Sequence, residues 1–449
     1  MSPSLTSEAV ADATAREAAW HWLAALPRPV VAHGDRGADP LAATNGLLAA
    51  LGNPQHDLRV IHIVGSKGKG STALLIEALL QQLGRRTFTF TSPHLERWTE
   101  RLRVDGREVE GQQAGAAIDA VRRAAATTGI QPGFFEALTV AGLWLARETG
   151  VDWGIIEAGV GGRADATNVI SPALVILTSI ELEHTERLGD TLTAIAREKA
   201  GAIKPGAPLV VPSLAAEVEP VIRDAAAAAG APVTRLSAGP AAPTEARDGD
   251  TVWTHRDRWL TVDGPGGQLR VPLTRPGHAA ALNTAIAVTA IQRLGLASRE
   301  DLQRAARVWQ QTILPGRFEV LSTLPWLVVD GAHTGASALA LAATVRELAP
   351  ERVTLLLSLS ASKDLAAVTD PLLALASTVV VTCADPDYSL PSRELATAIM
   401  HRWPELDIAV ADDPAQALAR ACREPDSDHL VLATGSMYLA GRIRALATT

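Results

Sequence analysis

The stretch "LRVIHIVGSKGKGSTALLIEALLQQLG", residues 58–84, constrains this 449-residue chain more than any other. A β-rich apolar run ends on a glycine turn, helical spacing follows at once, and Gly84 is placed to end the helix. A strand, a glycine-rich turn and a helix together make a phosphate-binding loop. Glycines let backbone N–H groups approach phosphate oxygens, and the helix N-terminus favours negative charge. The common form is G-x-x-x-x-G-K-[ST]. Here Gly70 separates Lys69 from Ser71, and Lys67 adds a second lysine upstream. Gly65, Ser66, Lys67, Gly68, Lys69, Gly70 and Ser71 are candidate phosphate contacts, with Lys69 reaching the β/γ-phosphates of a nucleotide and Ser71 a Mg²⁺ ion. The competing reading is a tight turn with solvated lysines.

Further strand-like runs, "DWGIIEAG", "ALVILTSI" and "PLVVPS", are near-continuous in apolar residues, as expected of a parallel sheet covered on both faces. Residues 251–273 alternate and carry turn residues, which predicts a β-hairpin excursion. After "ILPGR" (313–317) a second alternation begins, with strands "WLVVDGA", "VTLLLSLS", "TVVVTCA", "DIAV" and "HLVLATGS". The expected fold is α/β: a P-loop-type parallel-sheet domain over 1–312 and a smaller doubly wound domain over 317–449, divided near 311–317. A length of 449 residues fits two domains, and 47% apolar with 20% charged residues fits a globular core.

The formal net charge of −8 argues against a general nucleic-acid binder, while leaving room for anionic small substrates in a local basic pocket. Two cysteines, Cys383 and Cys422, give no disulfide framework and no zinc pattern. No secretory leader pattern and no apolar run of membrane length is present, so no membrane association and a cytoplasmic location are the expectations.

Other residues gain interest from position. Ser92, in "TSPHLERW", would sit at the C-terminal edge of a strand stopped by Pro93, where open α/β sheets bind ligands; a plain turn role is the alternative. Glu157 ends a buried run just before a glycine turn and could bind Mg²⁺ or simply face solvent. His184 follows "ALVILTSI" at the same edge, as ligand or as a structural histidine. Asp190 is placed to N-cap the next helix and Gly201 or Gly206 to help end it. On that helix Lys199 falls on the stripe of Leu192, Ile195, Ala196, Ala200 and Ile203. Burial would depress its pKa and leave an amine able to form a carbamate with CO₂; snorkelling is the alternative.

Taken together, "GSKGKGST", "TSPHLERWTERLRVDG", "GFFEALT", "EAGVGGRADATN", "TSIELEHTERLGDTLTAIAREKAGAIKPG", "RPGHAAALNTAIA", "LPGRFEVL", "DGAHTGAS", "SASKDLAAV" and "ATGSMYLAGRIR" closely resemble the folylpolyglutamate synthase/dihydrofolate synthase family of the ATP-dependent Mur ligases. The likeness runs in order along nearly the whole chain. It implies ligation of an acid to an amine: ATP phosphorylates the carboxylate of a pterin acid or folate, L-glutamate attacks the acyl phosphate, and phosphate leaves. It also implies that the first domain is like the central domain of a Mur ligase, that two Mg²⁺ ions act, and that the protein is a monomer. By position, Ser71, Ser92 and Glu157 would serve one Mg²⁺, and His184 with carbamylated Lys199 the other. Asn283, Arg317 and Asp330 would contact the nucleotide, the last two implying closure of the second domain over ATP. Gly133, Phe134, Phe135, Glu136, Ala164, Asp165, Ala166 and His333 would lie on the substrate side, although both phenylalanines also suit an ordinary core.

Some positions depart from the family pattern. Ser66-Lys67 replaces Thr-Asn, Glu181 and Glu183 replace glycine and aspartate, and Thr334-Gly335 replaces Asn-Pro near the expected amine site. The segment "PVVAHGDRGADPLAATNGLLAALGN" matches the family's substrate loop only loosely. A ligase of the same scaffold acting on another acid or amine is therefore the second expectation. A regulatory P-loop NTPase is the third, and it would have no need of Lys199 on the inner stripe.

Overall fold

A computed structural model describes residues 7–28, 39–239, 250–256, 258–265, 267–423 and 428–448. Residues 29–38 of the loosely matching segment lie outside these. The chain divides into two compact units: Met1–His94, Trp98–Thr274 and Ala281–Thr312 form one, and Leu95–Arg97, Arg275–Ala280 and Ile313–Thr449 the other.

In the first unit the strands are β1 (Arg59–Val64), β2 (Thr87–Phe90), β3 (Leu102–Val104), β4 (Arg107–Glu108), β5 (Trp153–Glu157), β6 (Leu174–Leu177), β7 (Leu209–Pro212), β8 (Val233–Ala238), β9 (Thr251–Arg256), β10 (Trp259–Asp263) and β11 (Leu269–Pro272). Among the described residues they form one sheet in the order β11-β10-β9-β8-β7-β6-β1-β5-β2-β3-β4. Its middle, from β9 to β2, is parallel, and β1 lies between β5 and β6. Alternation along β1 explains why it is covered on both sides. Ile61 and Ile63 face a core built with the Lys69–Gln82 helix, while Val60 faces Phe88, Phe90 and the Phe134–Glu148 helix. Trp309 is fully buried in the first core, its indole N–H donating to the Leu75 carbonyl at 3.0 Å, so its polar atom is satisfied as its rings fill space. The predicted hairpin over 251–273 is a three-stranded antiparallel excursion, because "QLRVPL" adds β11 to the pair.

The second unit holds β12 (Glu319–Thr323), β13 (Trp326–Val329), β14 (Arg352–Leu357), β15 (Thr378–Val381), β16 (Asp407–Val410) and β17 (His429–Thr434), ordered β12-β13-β17-β14-β15-β16. All neighbours are parallel except the β12–β13 pair. The sequence reading has no counterpart for β12. Its Glu319 is buried and accepts bonds from the Gly316 amide (2.8 Å) and the Arg444 Nε (3.0 Å), so an edge strand is anchored by a charge pair rather than by an apolar stripe. Both cysteines are unpaired. No helix among the described residues is long and apolar enough to cross a membrane.

Candidate active site

Between β1 and the Lys69–Gln82 helix the chain turns through positive φ at Gly65 (145°) and Gly68 (84°). A side chain at Gly68 would collide with the Asn283 carboxamide oxygen, so Asn283 from the His278–Arg293 helix packs directly on the loop. The residues just past β6 brace the turn. The Thr178 hydroxyl donates to the Lys67 carbonyl at 2.6 Å, and the Ser179 hydroxyl accepts from the Lys67 amide at 2.8 Å. The Ser66 amide donates to the Ser179 carbonyl, and the Ser66 hydroxyl accepts from the Glu181 amide, both at 2.9 Å. Thr178 and Ser179 were not singled out from the sequence. Their signal is a pair of hydroxyl residues directly after an apolar strand at the ligand-binding edge.

The Lys69 ammonium folds back onto its own loop, donating to the carbonyls of Gly65 (2.9 Å) and Ser66 (3.4 Å). Ser71 lies buried in the first turn of the helix. Glu157, buried at the end of β5, accepts the Ser92 amide N–H at 2.8 Å, and a side chain on Gly70 would meet its carboxylate at 3.2 Å. The fold thus brings Ser92, Glu157 and the start of the phosphate-loop helix together. Hydroxyl and carboxylate oxygens are the donors a hard divalent cation takes. Among the described residues no three His, Cys, Asp or Glu side chains converge as a metal cage, so these protein oxygens would share the ion with phosphate or water.

Lys199 points inward. It sits in the Leu192–Ala200 helix, is 1% exposed, and donates to the Gly65 carbonyl at 2.8 Å and to Glu183 at 2.9 Å. Burial first, then the nearby Lys69 charge, pushes its pKa down to about 8 against the opposing pull of Glu183. Burial alone would raise Glu183, but Lys199 and Lys69 hold it below its ordinary value. Lys67 also approaches Glu183, at 3.7 Å. His184 directly follows Glu183; burial holds its pKa below the ordinary value, with the Glu183 and Glu186 charges opposing. It adopts φ 47°, is half-exposed, and its ring nitrogen lies 3.7 Å from Glu186. The helix is capped by the Thr191 hydroxyl, which accepts the Ala194 amide, and not by Asp190. Thr191 is extended and one residue nearer the first turn, so its oxygen is the one within reach. Ile203 lies past the end of this helix.

Asp165 is buried and accepts the amides of Val160 (2.8 Å) and Thr167 (3.0 Å) and the Thr167 hydroxyl (2.5 Å). Burial raises its pKa, and these bonds pull it partly back. With its hydroxyl hydrogen on Asp165, Thr167 accepts from His62 Nε2 at 2.9 Å. His62 is fully buried in β1, and burial, then Lys204, pushes its pKa down to about 3. Ala166 and Ala164 flank this turn. The Glu136 carboxylate accepts the Gly133 amide at 2.6 Å, closing the start of the Phe134–Glu148 helix, so two members of "GFFE" have a capping task. Phe135 packs against Phe90, with ring centroids 5.7 Å apart, and lies over Gly159. Phe134 meets Trp20 edge-on at 6.1 Å and carries the guanidinium groups of Arg28 and Arg101 over its ring. Arg101 Nε donates to His94 Nδ1 at 2.9 Å, and burial, then Arg101 and Arg28, holds His94 down to about 4.

In the second unit Asp330 follows β13, half-buried, and accepts the amides of Phe318 and Ala332, each at 2.8 Å. Burial raises its pKa, with the Arg317 charge opposing. Arg317 donates to the Gly316 carbonyl at 3.0 Å and lies against Met437. His333 contacts the Gly331 carbonyl through Nδ1 at 2.7 Å. Thr334 caps the Gly335–Leu348 helix through a reciprocal pair with Ser337, and Gly335 sits where a side chain would press on Ala367.

Residues 316–437 match the Mur ligase glutamate ligase domain. The folylpolyglutamate synthase of Lacticaseibacillus casei is 33% identical over 406 residues, spanning 89% of this chain and 92% of that protein. The structure of Mycobacterium tuberculosis folylpolyglutamate synthase complexed with ADP and AMPPCP has a TM-score of 0.85 at 26% identity, covering 98% of this chain and 99% of that one. The bifunctional folylpolyglutamate synthase/dihydrofolate synthase of Yersinia pestis, complexed with AMPPNP and a Mn ion, has a TM-score of 0.81 at 25% identity, covering 97% of this chain and 98% of that one. Sequence likeness over most of both chains and the two-unit α/β architecture lead to one assignment: the chain belongs to the folylpolyglutamate synthase/dihydrofolate synthase family of Mur ligases.

Proposed function

We propose that the chain is an ATP-dependent ligase that joins L-glutamate to dihydropteroate, to folates, or to both, through an acyl phosphate. The observation that carries this reading is the inward Lys199, fixed against the Gly65 carbonyl of a braced phosphate loop. A loop that only bound nucleotide would not need a lysine held there at the cost of burial. The nucleotide and Mn ion in the Yersinia pestis relative support ATP with a divalent cation as the cofactors here.

In this mechanism the loop amides of Ser66 to Ser71 cradle the phosphates. Lys69 exchanges its loop carbonyls for a β/γ-phosphate oxygen. Ser71, Ser92 and Glu157 would hold one divalent cation, and His184 with a carbamylated Lys199 would hold a second. Bound there, the cations would neutralise charge on the transferring phosphoryl group. The amine form needed for carbamylation is accessible: with a pKa of about 8, roughly 10% of Lys199 is neutral at pH 7, against a few hundredths of a percent for an ordinary lysine. Its nitrogen would attack CO₂ and lose a proton, leaving one negative charge, and Glu183 would give up its ion pair. Phe135, Asp165 and their neighbours form the substrate side. Asn283 contacts the nucleotide beside Gly68. Arg317 and Asp330 are nucleotide contacts, and His333 a substrate contact, on the family's motifs alone.

The test is direct. Purified protein is incubated with ATP, Mg²⁺, glutamate and either dihydropteroate or a tetrahydrofolate, and ADP release and product mass are followed. ADP release with a glutamylated product is expected; no such product from either acceptor overturns the reading. Lys199→Ala should lose most activity and recover part with added small carboxylates, and full activity in that variant removes the carbamate role. Thr334-Gly335 at the helix start favours a second reading, the same chemistry on another acid or amine, which would show as ADP release dependent on that pair.

A further inference from the structure

The Phe134 ring carries two cations. The guanidinium carbon of Arg28 lies 4.8 Å from its centroid and that of Arg101 5.5 Å, in a protein whose net charge is −8. Like charges repel, and the exposed member of the pair, Arg28, would draw a negatively charged ligand to this face. Arg101 is largely buried and spends Nε on His94. Arg28 is exposed, and among the described residues it makes no ion pair. Along the chain the cluster is linked to the reacting region at two points. His94 lies two residues from Ser92, whose amide binds Glu157. Phe135, next to Phe134, lies over Gly159, two residues beyond Glu157.

An acceptor that ends in aminobenzoate offers one carboxylate, the one to be phosphorylated. An acceptor that already ends in glutamate offers two, a few bonds apart, and the bystander must be held away from the phosphoryl group. A planar guanidinium suits that task, since its fork matches a carboxylate and its face stacks on an aromatic ring. Resting on the glutamyl-ligase reading above, we infer that Arg28, with Arg101 beside it, holds the unreacted α-carboxylate of an acceptor that already carries glutamate. Arg28 is thereby the residue that admits chain extension, as distinct from addition of a first glutamate.

The experiment compares a tetrahydrofolate with its α-carboxamide as acceptor, using full-length wild type, Arg28→Gln and Arg28→Lys. ADP release and product mass are read, with ATP affinity as a check on folding. Wild type should prefer the free α-carboxylate by about 10- to 100-fold in kcat/KM, the range of one charged hydrogen-bonded contact. Arg28→Gln should shrink that preference to within about threefold, mainly through KM, and Arg28→Lys should restore part of it. An unchanged preference in Arg28→Gln overturns the inference, as does a wild type that ignores the amide. Turnover of dihydropteroate but no tetrahydrofolate also overturns it while leaving the ligase reading intact. Turnover of neither acceptor removes the ligase reading and this inference together.

Discussion

Replacing Lys199 with methionine should make the protein more stable and less active at once. The folded-state pKa of about 8 stands against an ordinary 10.5, a gap of 10.5 − 8 = 2.5 units. At about 1.36 kcal/mol per unit, keeping the ammonium in its buried site costs on the order of 3 kcal/mol at pH 7. The sign follows from the depressed folded value. Above pH 10.5 both states are neutral and there is no cost. Between 10.5 and 8 the unfolded chain binds more protons, so stability falls as pH falls, and below 8 the full cost is present. Methionine removes the charge and fills similar space. Against that gain, Glu183 loses its nearest partner but keeps Lys67, and the Gly65 carbonyl keeps Lys69. A net gain of about 1–3 kcal/mol at pH 7 results, shrinking by roughly 2.5 kcal/mol at pH 10. Urea unfolding of both proteins in CO₂-free buffer, at pH 7 and pH 10, measures the difference directly. Equal differences at the two pH values, or a variant less stable at pH 7, would refute the account of Lys199 as a buried ammonium kept for function.

His62 gives a test of the same sign in the acid range. It is buried with a pKa of about 3 against an ordinary 6.5, so its share of stability is intact above pH 6.5 and drains away toward pH 3. His62→Gln keeps a donor for Thr167 and removes the titration; its stability relative to wild type should improve by about 2 kcal/mol between pH 6.5 and 4.5, read by denaturant unfolding at both. Gly68→Ala places a side chain at φ 84° and against Asn283, and the backbone term alone is about 1–2 kcal/mol. ATP affinity by calorimetry should drop at least about tenfold; an unchanged Kd would mean that this turn does not hold the phosphates.

Much of the scaffold was legible because it is written in periodicities. β1, β5 and β6 are continuous apolar runs, and Lys199 falls four residues after Ile195 on a helical stripe, which is where the structure buries it. What periodicity cannot carry is the partner. Glu183 reaches Lys199 from an irregular loop, and no spacing rule pairs them. Asp190 and Thr191 are adjacent and both suited to capping, so only the backbone conformation separates them. β12 escaped notice because its stability comes from Glu319 and Arg444, 125 residues apart. Asp165 stood out by resemblance, while the Asp-Ala-Thr turn that binds its carboxylate was a local signal left unread. The arginine pair on Phe134 draws on three separate segments, which no single motif spans.

The brace on the phosphate loop also sets an order of events during folding. Lys67 is tied to Ser179 across 112 residues, and the Gly65 carbonyl to Lys199 across 134. Contacts that distant form late, because the intervening chain must lose its freedom first. A growing polypeptide that has completed β5 but not β6 carries every residue of "GSKGKGST" and none of its supports. Nucleotide capture by a nascent or truncated chain therefore times the docking of β6 beside β1, rather than the emergence of the loop itself.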